Sequence, residues 1–124
     1  MNYGVLKVSV AARIREVESA VQQYAFVQSV VKVDETRYSV KYRLHIDADL
    51  FVQLYFNERS GTVGMTLIDR GQRLYGRDRY AGQWHRHSVV SPHNHDDSPE
   101  GRKIVNVREF LAEVQNILIT AGLI

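Results

Sequence analysis

The 124-residue sequence predicts a single α+β domain: an N-terminal helix, an antiparallel meander sheet of four to five strands, and a C-terminal helix packed on one sheet face. Three observations predict it. Apolar residues recur at helical spacing near both ends, they alternate at the two-residue period of strands between those ends, and the strand-like runs are joined by turn-forming loops of three to five residues. Runs joined so closely pair antiparallel, because a parallel pair needs a crossover of a dozen residues or so. The length fits one domain over 1–124, since compact domains take about 100–150 residues.

Residues 1–8 carry no assignable pattern. From Ser9, a candidate N-cap, apolar residues fall at Val10, Ile14, Val17, Val21 and Tyr24 with charges between them, which predicts an amphipathic helix of about four turns. The β-rich, densely apolar run from Phe26 to Val33 predicts a strand over 26–34, although a helix continuing to Val31 satisfies the same spacing. Tyr38, Val40, Tyr42, Leu44 and Ile46 alternate with Ser39, Lys41, Arg43 and His45, a strand with one face in the core. Turn residues at 47–49, 57–61 and 69–71 then separate runs at 50–56, 62–68 and 72–80. After Ala81-Gly82 the alternation fails; 84–90 is at most a short strand, and 91–103, holding both prolines, reads as a loop. Asn106 with Glu109 three residues on forms a capping-box signature, followed by an apolar stripe from Val107 to Ala121 and Gly122 as the C′ signal. The sheet face opposite the helices is expected to carry Lys41, Arg43, His45 and some of the Arg-rich strand residues, a basic outer surface.

Composition narrows the chemistry. The absence of Cys excludes disulfide frameworks, thiolate metal sites and Cys nucleophiles, and fits a reducing cytoplasm. No run approaches the roughly 20 apolar residues of a membrane span and no signal-peptide pattern opens the chain, so a soluble cytoplasmic protein without a membrane partner is expected. Net charge is only +2, yet twelve of the sixteen basic residues are Arg, and six of those lie between Arg59 and Arg86 with no Lys among them. Arg is the residue whose planar fork matches phosphate.

All five His lie between His45 and His95, four of them in the run Trp84-His85-Arg86-His87 through Pro92-His93-Asn94-His95. In extended backbone each His-x-His pair presents two rings on one face. One use is metal binding by His85, His87, His93 and His95. Another is metal-free acid–base work: RNA cleavage needs a base for the 2′-hydroxyl, an acid for the leaving oxygen and a cation beside the phosphate, and His with Arg fills all three roles. On that reading His85 or His87 is the base, His93 or His95 the acid, and Arg77, Arg79 and Arg86 hold the phosphate, with Trp84 stacking on a base or sugar. Replacing Arg77 and His93 together is then expected to abolish activity and spare the fold. On the alternative reading the chain is a non-enzymatic binding module whose basic face contacts nucleic acid or an acidic partner, and the same segment is a hydrogen-bonded latch tying 92–97 onto the sheet. Asp78 either orients a His or is an ion-paired surface residue. Tyr24, Tyr38 and Tyr42 fall on core faces, leaving Tyr55, Tyr75 and Tyr80 as candidate contacts. No nucleotide-binding or serine-hydrolase motif is present, and no cofactor is implied.

The order of a basic strand ending in Arg77-Asp78, the His85 and His87 cluster, then Pro92-His93-Asn94-His95 before an amphipathic helix resembles the TumE-like toxin family of prokaryotic toxin–antitoxin pairs, over about residues 25–118. The family pattern places Arg-Trp-Asp-Asn shortly before the first His; here six residues separate Asp78 from His85 and no Asn follows Asp78. The resemblance implies a growth-inhibiting toxin whose partner is an antitoxin with a helix-turn-helix domain. The layout also looks like the RelE-type and barnase-type ribonuclease fold, which implies RNA as substrate; a homodimer is compatible with either reading.

Overall fold

A computed structural model describes residues 7–124, and they form helix α1 (Val10–Val21), six strands and helix α2 (Val107–Thr120). The strands are β1 (Ser29–Glu35), β2 (Ser39–Asp47), β3 (Leu50–Asn57), β4 (Val63–Asp69), β5 (Gln72–Tyr80) and β6 (Gln83–His87). Each pairs antiparallel with its sequence neighbours in the spatial order β1-β2-β3-β4-β5-β6, so the meander is complete. The α+β layout is the expected one, with a sixth strand beyond the predicted four to five.

The Ser9 side chain accepts from the Ala12 amide and starts α1, as its sequence position predicts. The helix ends at Val21, one turn short of the apolar spacing, because Tyr24 and Phe26 reach the core from a turn instead. Strand β1 also differs: it begins at Ser29, and Val30, Val31 and Val33 are all exposed because it is an edge strand with no helix over it. A register shift between Lys32 and Asp34, together with those charges, blunts that edge. Strands β2 to β4 bury alternate residues, placing Val40, Tyr42, Leu44, Val52, Leu54, Met65 and Leu67 in one core beneath the helices.

Helix α2 buries Val107, Phe110, Leu111, Val114 and Leu118 against that core. Its capping box is formed in both directions by Asn106 and Glu109. At the other end Gly122 (φ 71°) sends its amide to the Ile119 carbonyl while the Leu123 amide reaches Leu118, closing a Schellman motif. The helices also brace each other, since Glu16 accepts from the Val107 amide at 2.9 Å.

Sheet extension past Tyr80 depends on one turn. Ala81 (φ 52°) and Gly82 (φ 79°) repeat the left-handed pair seen at Arg70 (φ 49°) and Gly71 (φ 77°), the geometry that joins twisted strands by two residues. Ala is a poor signal for that conformation, and β6 is polar, so the sequence pattern breaks where the backbone does not.

Candidate functional site

Register decides which side chains meet. Across β5 and β6, Arg77 opposes Arg86, Arg79 opposes Trp84, Asp78 opposes His85 and Gly76 opposes His87. Opposed residues share a face. On the other side of β5, Arg77 and Arg79 oppose Met65 and Val63, both buried under the helices. Arg77, Arg79, Arg86 and Trp84 therefore lie on the helix side of the sheet, and Asp78, His85 and His87 on the open side. The expected single pocket of imidazoles and guanidiniums is instead divided by the sheet.

On the helix side, Arg77 is fully buried. Its Nε and Nη2 donate to the two Glu113 carboxylate oxygens at 3.1 and 2.8 Å, Nη2 also to Glu100 Oε1 at 3.1 Å, and Nη1 to the Glu100 carbonyl at 2.6 Å. Burial disfavours this charge, but those bonds and the neighbouring carboxylates outweigh it and raise the guanidinium above its ordinary value. Arg77 thus ties α2 and the 88–103 loop to the sheet, and its fork, fully buried with four of its five N–H groups committed, is closed to a phosphate. Tyr75, expected as a surface contact, is buried beside it and donates to Glu113 Oε1 at 2.8 Å. Arg86 grips Asp96 Oδ2 through Nε (2.9 Å) and Nη2 (2.6 Å). Bonds from Ser98, then the Arg86 charge, hold the Asp96 carboxyl down at about 2. Arg79 donates to the Gly61 carbonyl at 2.7 Å and, with Trp84, lines a cleft of about 300 Å³ that also includes Arg13 and Arg59.

The open side is assembled by the returning loop. Its Asp96 pairs with Arg86 as an isolated antiparallel bridge, which brings Asp97 opposite His85 and His95 opposite His87. His85 Nδ1 lies 2.7 Å from Asp97 Oδ1. The His95 ring stacks on His85 with centroids 4.7 Å apart and meets His87 edge-on at 4.8 Å. His87, only 4% exposed, has Nε2 at 3.1 Å from Asp78 Oδ2 and Nδ1 at 2.9 Å from the Pro92 carbonyl and 3.0 Å from Arg73 Nη1. Burial first, then the Arg73 charge, lowers the His87 pKa below the ordinary imidazole value against the opposing pull of Asp78.

Three of the four predicted His therefore converge: His85, His87 and His95. His93 is exposed and, among the described residues, shares no ring contact, hydrogen bond or ion pair with them. Of the four-His ligand set, only His87 and His95 lie in the group whose donor atoms fall within 4.8 Å of one another, and Asp78 completes it. The latch reading of the loop also describes what is seen, since Arg86, Arg77 and His87 all hold it down.

Two participants escaped the sequence reading. Arg73 has the wrong parity to join His87 by simple alternation, but the register shift between Leu67 and Ile68 makes Leu74 an extra residue and turns Arg73 to the open face. Asp97 reads only as part of the loop until the bridge at Arg86 sets it against His85. A carboxylate holding one imidazole nitrogen leaves the other free to exchange a proton, and a second imidazole stacked beside it supplies the opposite role. Comparison with known proteins adds nothing to this geometry: no family model, no curated protein and no solved structure matches the chain.

Proposed function

We propose that this chain is a toxin-like endoribonuclease that cleaves RNA on the open sheet face without a metal, the product of a toxin–antitoxin pair acting in the cytoplasm. The observation that carries the reading is the His85–Asp97 pair stacked against His95. Asp97 holds Nδ1 of His85, so its Nε2 takes the proton of the 2′-hydroxyl as that oxygen attacks the phosphorus. His95 gives a proton to the departing 5′-oxygen. The products are a 2′,3′-cyclic phosphate and a 5′-hydroxyl, and the two rings end with their protonation states exchanged. Arg73 supplies the cation beside the phosphate in place of Arg77, Arg79 and Arg86, while His87, enclosed between Asp78 and Pro92, is a positioning residue. The strand side of the site continues into Lys41, Arg43 and Tyr55, which share this face and suit a single-stranded backbone and its bases. The resemblance to the TumE-like family supports the toxin assignment and a helix-turn-helix antitoxin as partner.

The test is purified protein with end-labelled RNA, in chelator and without. Cleavage to cyclic-phosphate ends is expected to survive chelator and to fall about 100-fold or more in His95→Ala and in His85→Ala. Cleavage that stops in chelator, or that persists in the double His85→Ala, His95→Ala variant, overturns the mechanism; loss of growth arrest on expressing the same variants checks the toxin assignment.

A further inference from the structure

His87 faces partners that no single protonation state satisfies. Its Nδ1 lies 2.9 Å from the Pro92 carbonyl, which can only accept, and 3.0 Å from Arg73 Nη1, which can only donate. With the proton on Nε2, the ring donates to Asp78 and accepts from Arg73, but turns a lone pair on the Pro92 carbonyl. With the proton on Nδ1, Pro92 is satisfied and the Nε2 lone pair points at the Asp78 carboxylate 3.1 Å away, with Arg73 Nη1 at 3.5 Å as a distant donor. That second arrangement is repulsive unless a cation, either a second ring proton or a metal ion, stands between the two atoms. It is also the arrangement of a metal-bound histidine, which coordinates through one nitrogen and donates its other N–H to a backbone carbonyl.

The surroundings fit such an ion. The donor atoms of Asp78, His87 and His95 all lie within 4.8 Å of one another. Bonds of about 2.0–2.2 Å put ligands on a tetrahedral zinc about 3.3–3.5 Å apart. Asp78 and His87 already stand at nearly that spacing, and His95, exposed on the loop, has to move by little more than 1 Å. The ligands come from β5, β6 and the loop, and exposed His95 leaves an outward position for water. Two imidazoles and one carboxylate suit zinc and its neighbours in the transition series, whereas magnesium prefers oxygen throughout.

We propose that Asp78, His87 and His95 bind one divalent transition-metal ion of the zinc class. Binding fixes the proton of His87 on Nδ1 and displaces Arg73, which loses its acceptor and meets a like charge. An ion there also occupies the His95 lone pair and so inhibits RNA cleavage. That consequence rests on the ribonuclease reading, whereas the binding itself does not.

The experiment is calorimetric titration of protein made without a histidine tag with zinc chloride, and with magnesium chloride as control, alongside the visible absorption of bound cobalt(II). One zinc per chain is expected, with no magnesium binding. Asp78→Ala and His95→Ala should each weaken zinc at least tenfold, His45→Ala should not, and Arg73→Ala should tighten it severalfold. Melting in chelator verifies that each variant is folded; for any that is not, Asp78→Asn and His95→Gln replace it. No zinc binding, or binding that Asp78 and His95 substitutions leave unchanged, overturns the site whether or not the protein cleaves RNA.

Discussion

Arg77 is the residue whose chemistry changes most between its place in the chain and its place in the fold. A guanidinium with 0% exposure keeps its charge only because Glu113 and Glu100 surround it. Removing it leaves a cavity and an unpaired Glu113 carboxylate, which is 25% exposed. Arg77→Ala is therefore expected to cost about 3 kcal/mol of stability, measured by urea unfolding. Arg73→Ala removes a partly exposed hydrogen bond and should cost about 1 kcal/mol. This reverses the expectation that replacing Arg77 spares the fold. The same reversal has a general cause: an Arg in a basic strand is read as surface, and nothing local announces that a carboxylate 36 positions away will meet it.

At the scale of elements, the instructive case is the β5–β6 hairpin. Its two-residue turn holds Ala81 in the left-handed region, where an L-residue with a Cβ is strained and Asn is tolerated. Ala81→Asn is expected to raise stability by about 0.5 kcal/mol, seen as a higher urea midpoint with an unchanged slope. An unchanged or lower midpoint shows that the turn relaxes without strain. Helix α2 was fully legible because its stripe, capping box and C′ glycine are all local signals. Strand β1 was legible as a strand from its dense β-branched run, but its later start at Ser29 and its exposure were not, since composition does not report whether a helix lies above a strand. The segment 91–103 was legible as a loop, but not its path: Gly101 packs so closely on the Asp96 backbone that a Cβ there would collide with it, a contact invisible in composition.

Across the whole molecule, Tyr75, Glu113 and Arg77 join the sheet to α2, so the titration of Tyr75 is a property of the global fold. Burial, then the bond to Glu113, pushes its pKa up to about 12 from an ordinary value of 10.0. A group held protonated in this way contributes stability that is complete below pH 10 and is lost as pH rises through about 12. The stability lead of the wild type over Tyr75→Phe is expected to shrink across that window; a constant lead in urea unfolding between pH 9 and 12 disproves the linkage. Among the described residues no helix is long and apolar enough to cross a membrane.

The chain by itself determined the class of the fold, the meander, both helices with their caps, and the stretch in which imidazoles concentrate, because periodicity and capping are local properties that survive without neighbours. Tertiary structure decided which face each strand residue takes and what it meets. One extra residue at Leu74 brings Arg73 to the imidazoles, one bridge at Asp96 brings His95 and Asp97 there, and the thickness of the sheet keeps Arg77, Arg79 and Arg86 away. In a sheet a single step of register exchanges the two faces, so convergence of side chains distant in sequence is set by pairing and packing and is not encoded in any short segment.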